Sequence, residues 1–310
     1  MRRIDVIIKS AFKESNKHFK NHGFKYASSF FLTCFLKKYR YKTRLLAISK
    51  LQKEFGYVFE NVSEKEYSVP RIGNEQKNIF VYRAQGINNI PPLVQYNLEL
   101  IKKNYYDYKI ILIDDLNFDD YVKIDNHLIS LYKDKKITVQ TFSDILRFNL
   151  LYQLGGIWVD STILMFKRYE FFNEIKKNGF VSLNHSSKEK DSIWKRVYPV
   201  TYTTFFLGTH KGNPVMECCV KFYNEYYKKY DYAIDYFMND YMLILCMKYK
   251  IGNDQLNRIC YWQGSPFYLI NNISNDKIIL EKVLEIPQKM DWRSFDEQRF
   301  KSFVDESKLI

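Results

Sequence analysis

The 310-residue chain has no apolar run near the roughly 20 residues that a membrane-crossing helix needs. Its longest candidate, Tyr26 to Leu36 (YASSFFLTCFL), stops at eleven residues. No small-residue cleavage site plainly follows it, which disfavours a cleaved signal peptide. Cysteine is scarce: Cys34, Cys218, Cys219, Cys246 and Cys260 form no C-x-x-C pair, and an odd number cannot be fully paired within one chain. A disulfide framework and zinc-finger spacing are both missing. The expected home is therefore a reducing compartment, the cytoplasm or its membrane face. Cys218 and Cys219, in VMECCVKFY, read as small packed hydrophobes. The absence of G-x-S-x-G, of a P-loop and of H-E-x-x-H leaves a hydrolase or phosphotransferase little support. No repeat or low-complexity tract is visible.

Acidic residues are almost missing from one segment. Met1 to Lys53 holds fourteen Lys and Arg but only Asp5 and Glu14 as acids, a net +12 out of +13 for the whole chain. The body is nearly neutral. Nucleic-acid binding normally spreads basic residues over the reading domain, so no nucleic-acid partner is expected. Phe24, Phe30, Phe31, Leu32, Phe35 and Leu36 lie among the N-terminal charges. Two readings stay open: a surface that meets anionic lipid, or a basic helical hairpin packed on the main domain. What the chain does hold is material for a core, 46% hydrophobic against 27% charged residues, which excludes a disordered chain. Its 26 Tyr and 24 Phe offer stacking surfaces suited to sugars or bases, although AT-rich coding also favours Tyr.

Residues 5–60 read as helices with weak breaks at Asn21-His22-Gly23 and at Gly56, and the polar stretch 61–77 with Pro70 and Gly73 reads as a linker. Strand-like and helix-like segments then alternate, predicting a mixed α/β sheet. Strands are expected at Asn78–Arg83, Tyr108–Ile113, Ile157–Asp160, Gly179–Leu183 and, extended, Val200–Gly208. Helices are expected at Leu93–Lys103, Thr138–Leu154, Asn213–Lys229 and Tyr232–Tyr249. The division is a basic helical region 1–75 before an α/β domain 76–310.

The most informative stretch is Thr138 to Phe166 (TVQTFSDILRFNLLYQLGGIWVDSTILMF). Ser143 can cap a helix. Gly155-Gly156 stops that helix, and the strand IWVD delivers Asp160 at its C-terminal end, where open α/β sheets place ligands. Asp144 and Arg147, three apart, face one side of the helix. Each reads blandly alone, as a surface ion pair and a strand-end cap; Gly-Gly fixes their relative placement.

FSDILRFNLLYQLGGIWVDST resembles the core signature of the capsular polysaccharide synthesis glycosyltransferases, relatives of the GT-A sugar transferases with a DXD motif. VYRAQGINNIPPLVQYNLELIKKNYYDYKIILIDDLNFDDYV and IDYFMNDYML extend the resemblance over roughly residues 78–295, leaving the N-terminal 75 outside it. The resemblance implies a GT-A fold and transfer, with retention, from a nucleotide-sugar, a UDP-sugar foremost, to a capsular or other cell-envelope glycan that a lipid can carry. By position, Val81, Tyr82, Arg83 and Gln85 are expected to border base and ribose. Asp144 and Arg147 are expected to hold the donor sugar, and Asp160 to reach a divalent metal, Mn²⁺ or Mg²⁺. The second DXD aspartate is Thr162 here, and Gln288-Lys289-Met290 stands where relatives often carry His then Lys, so metal dependence is open. Gly155, Gly156 and Lys289 are carried with the donor site; Lys289 can offset diphosphate charge or be an ordinary exposed lysine. Asp115, of the pair Asp114-Asp115, reads as a helix cap or a ribose contact. Asp240 is a further carboxylate or a solvated helix acid. His185, Trp262 and Ser265 are candidates for the acceptor pocket. Outside enzymes, the rival is a catalytically silent, membrane-associated scaffold of a polysaccharide assembly. The expected location is peripheral, at the inner face of the cytoplasmic membrane.

Overall fold

A computed structural model describes residues 2–33, 36, 39–73, 77–86, 88, 90–184, 202–258, 264–274, 278–293, 295–307 and 309. Three helices come first: α1 (Arg2–His22), α2 (Phe24–Thr33) and α3 (Tyr39–Ser63). Gly23, with φ +82°, turns the chain between α1 and α2, a conformation glycine adopts without strain. The second expected break does not occur. Gly56 lies inside α3, where a Cβ would stand 2.9 Å from the Tyr249 hydroxyl, so it is close packing that calls for glycine there.

The α/β body follows as β1 (Asn78–Tyr82), α4 (Pro92–Asn104), β2 (Lys109–Ile113), α5 (Asn126–Lys133), α6 (Val139–Leu154), β3 (Gly156–Val159), β4 (Ile163–Leu164), α7 (Phe171–Asn178), β5 (Phe180–Asn184) and β6 (Tyr202–Thr209). The helices Pro214–Lys229 and Met238–Lys248 come next, and after shorter elements β7 (Gln288–Lys289) and a last helix, Glu297–Ser307. The central sheet is mixed, in the order β2-β1-β3-β6-β5. β1 is parallel to β2 and β3, whereas β6 is antiparallel to β3 and β5. The Tyr232–Tyr249 helix begins only at Met238, and the six residues before it are irregular.

Strand alternation sends side chains to opposite faces of this sheet. Phe80, Tyr82 and Trp158 join one core with α6 and the Pro214–Lys229 helix; Ile79, Val81, Ile157 and Val159 join another with α4 and α7. Both faces are thus covered by helices. The first core also contains Tyr26, Ala47, Leu51, Phe55, Val58, Phe59 and Val62 from α2 and α3. Helices α2 and α3 and the α/β body therefore share one core. The stretch read as a linker is pinned: the Tyr67 hydroxyl lies 2.5 Å from His210 Nε2, and Ile72 is buried.

Candidate active site

Helix α6 and strand β3 bring the central residues together. Thr138, not Ser143, caps α6, accepting from the Thr141 amide at 3.2 Å; Ser143 falls inside the helix. Gly155 ends it with φ 69°, and Gly156 opens β3 with φ 116°. A Cβ on Gly156 would sit 2.7 Å from the Asn78 carbonyl oxygen, so glycine lets β3 lie against β1. Both glycines stand at the far end of β3 from Asp160, roughly 13 Å along the strand, and line no ligand space. Their expected donor contact is corrected to a backbone role.

Past β3 the chain turns, with the Ile163 amide donating to the Asp160 carbonyl at 3.0 Å. β4 then pairs with β7, Ile163 opposite Lys289, and the Met290 amide donates to the Thr162 carbonyl at 2.9 Å. This short ladder swings Lys289 onto Asp160. Its Nζ donates to Asp160 Oδ2 at 2.9 Å and to Thr162 Oγ1 at 2.8 Å. The other carboxylate oxygen, Asp160 Oδ1, accepts from Arg147 Nη2 at 3.2 Å and Trp158 Nε1 at 2.9 Å. Arg147 Nη1 donates to Asp144 Oδ1 at 2.6 Å, so one buried guanidinium joins the two carboxylates. Its carbon lies 4.9 Å from the Trp158 ring centre, a cation–π placement.

Burial alone would raise the Asp160 pKa. The Lys289 and Arg147 charges, with the hydrogen bonds from Trp158 and Lys289, outweigh that and hold it below the usual carboxylate range. Asp144 goes the other way, because burial exceeds what Arg147 restores. Asp240 is pushed up to about 7, by burial first and then by the charge of Asp144, with Arg44 opposing.

These residues line a cleft of about 1120 Å³ that also takes in Tyr82, Arg83, Gln85 and Asp240. Asp240 is therefore a cleft-wall residue. Val81 is not: it points to the opposite face of the sheet and is buried in that core. Asp115 also stays out of the cleft lining, but its carboxylate accepts from the hydroxyls of Tyr82 at 2.5 Å and Tyr132 at 2.7 Å. It holds the Tyr82 hydroxyl at the edge of the cleft. Asp114 caps the next turn, accepting from the Leu116 amide at 2.9 Å. Ser265 accepts from the Phe267 amide and is not part of the cleft lining; His185 and Trp262 lie outside the described residues.

The cleft has walls that local sequence patterns do not reveal. His18 of α1 and Phe30 of α2 line it, as do Tyr236 and Trp292, which are 80% and 68% exposed. The signal available for the last two was a large aromatic next to a chemically interesting segment. His18 offered none, being brought in by contacts over 200 residues away, such as its ring 5.3 Å from Tyr232.

The residues present do not fit a divalent cation at Asp160. Three of its acceptor positions are taken by Arg147, Trp158 and Lys289, and the Thr162 hydroxyl accepts from Lys289. Gln288 is buried with its amide spent on the Leu269 amide and the Ile286 carbonyl. Among the described residues no three His, Cys, Asp or Glu side chains gather where a metal could be held.

Residues 29–304 match the family described as capsular polysaccharide synthesis protein, and the chain belongs to that family. The match reaches further toward the N-terminus than the 78–295 segment of the resemblance and takes in α3. A solved structure titled PaToxG Glycosyltransferase aligns with 86% of this chain and 95% of its own, at 14% identity and a TM-score of 0.39. No curated protein matches the chain.

Proposed function

We propose that this protein is a glycosyltransferase of the GT-A kind that moves a sugar from a UDP-sugar to a capsular or other cell-envelope glycan, with retention, at the inner face of the cytoplasmic membrane. The observation that carries this reading is the Asp144–Arg147–Asp160–Lys289 chain at the C-terminal end of β3, inside a cleft bordered by Tyr82, Arg83 and Gln85. Membership of the capsular polysaccharide synthesis family supports it. So does size, since single-ligand pockets run to about 1,000 Å³ and this cleft exceeds that, leaving room for donor and acceptor together.

A departing nucleoside diphosphate develops negative charge that fixed cations stabilise when they are already oriented. Lys289 and Arg147 meet that requirement because both are held in place by hydrogen bonds to Asp160. Arg83 and Tyr82 border the base end, and Asp144 faces the sugar hydroxyls from α6. Tyr236 and Trp292 offer exposed rings for an acceptor sugar to stack on.

Titration with UDP in the presence of a chelator tests the reading. UDP binds and a UDP-sugar is slowly hydrolysed without added metal, and Asp160→Asn lowers turnover at least about a hundredfold while the melting temperature holds. Binding that appears only with Mn²⁺ would transfer the charge-stabilising role from Lys289 to a metal. A folded protein that binds no nucleotide-sugar at all is the silent scaffold.

A further inference from the structure

The α1–α2 hairpin has an inner and an outer face. On the inner face Ala11, His18 and His22 are buried, and Ser15 Oγ donates to the Ala27 carbonyl at 2.9 Å. The His18 ring lies 4.2 Å from that of Phe30, and both residues line the cleft. On the outer face Phe12, Phe19 and Phe24 are 61%, 53% and 73% exposed. Phe12 and Phe19, seven residues apart, share one side of α1. Phe19 meets Phe24 edge-on at 6.4 Å, and Phe12 meets Phe31 at the same distance, so the rings form a row across both helices. Each exposed phenylalanine is followed directly by an exposed lysine: Phe12-Lys13, Phe19-Lys20, Phe24-Lys25.

Three large rings in water are costly for a folded protein, and a row of them is unlike the scattered apolar residues of an ordinary surface. The paired lysines select the occupant. An apolar row edged by cations fits the boundary between acyl chains and anionic headgroups, where rings insert and ammonium groups stay at headgroup level. No helix among the described residues is long and apolar enough to cross a membrane, so the row would lie on the surface. We propose that Phe12, Phe19 and Phe24 with Lys13, Lys20 and Lys25 dock the chain on an anionic lipid bilayer, and that the same hairpin, as a wall of the cleft, sets the cleft beside the membrane to receive a lipid-carried acceptor. The acceptor half rests on the sugar-transfer reading; the docking half does not.

Flotation of the full chain tests it, using vesicles of neutral phosphatidylcholine alone and with added phosphatidylglycerol. The protein floats with the anionic vesicles, less as salt shortens the screening length, and not with the neutral ones. The variant Phe12→Ser/Phe19→Ser/Phe24→Ser loses at least about tenfold in vesicle affinity, with melting temperature and UDP binding unchanged, because those rings are outside the core. Lys13→Glu/Lys20→Glu/Lys25→Glu abolishes the preference for anionic lipid. Failure of the unaltered chain to float with either vesicle, or equal flotation of the serine variant, overturns the docking surface. Docking without UDP binding would instead sink the sugar-transfer reading and leave the surface standing.

Discussion

Asp240 is a carboxyl placed where charge is costly. It shares a cleft wall with Asp144, whose charge adds to the cost of burial, and Arg44 opposes both. An unfolded aspartate titrates near 3.9, and Asp240 in the folded chain at about 7. Between those values the folded chain keeps a proton that the unfolded chain has lost, so stability falls as pH rises through the window. Asp240→Asn removes that loss. It should stabilise the protein by about 1–2 kcal/mol near pH 8, a discounted figure because the side chain is partly exposed, and by much less near pH 5. Thermal melts across pH check this; a stabilisation that does not change with pH would mean that packing, not charge, is at stake. Residue-scale legibility follows the range of the contacts. Asp144 and Arg147 were readable because three residues of helix separate them. Lys289 was readable only by resemblance, since it meets Asp160 across 129 positions and nothing local marks it.

At the scale of elements, the α6–β3 corner sets the reach of Asp160, and Gly156 sets the corner. Its φ of 116° disfavours any side chain, and an added Cβ would press on the backbone of β1. Because backbone cannot yield as a flexible side chain does, Gly156→Ala should cost at least about 2 kcal/mol in stability. It should also lower turnover per folded molecule by shifting β3 and the carboxylate at its end. Chemical denaturation with activity normalised to folded protein separates the two effects, and unaltered turnover would show that the corner does not transmit. This corner was legible because helical spacing, two glycines and an apolar run all agree there. The β4–β7 ladder was not: two residues per strand hold no period, and its geometry comes from Pro266 and Thr162 accepting backbone amides of Lys289 and Met290. The helix expected from Tyr232 lost its first six residues for a related reason. Tyr226 donates its hydroxyl to the Tyr232 carbonyl, and Tyr26 to that of Ile234, so tertiary partners take acceptors a helix would have used.

For the whole molecule, the decisive feature is that the basic N-terminal helices are structural. Tyr26, Ala47 and Leu51 are buried among residues of the Pro214–Lys229 helix, and Ser29 bonds to Thr43 at 2.6 Å beneath them. Glu54 ties α3 to the same region, accepting from Lys229 at 2.8 Å and Tyr230 at 2.5 Å. Burial alone would raise its pKa, but these bonds, with that from Lys50, hold it at about 2. Charge in the first 53 residues was plain from composition, yet composition cannot tell a surface arm from a packed layer, because both keep their lysines in water. The two candidate roles are compatible here: inner faces pack while outer faces keep Phe12, Phe19 and Phe24 exposed. Deleting residues 1–53 would cut α3 in mid-helix and expose the surfaces that Tyr26, Ala47 and Leu51 cover. At about 1.5–3 kcal/mol for each large side chain, the loss approaches the 5–15 kcal/mol by which a domain is stable at all. The truncated chain should therefore aggregate or melt far below the full one in calorimetry, whatever its affinity for lipid. A soluble 54–310 fragment with cooperative, near-native melting would show instead that the three helices are an appendage, and that the wall they give the cleft is dispensable to the fold.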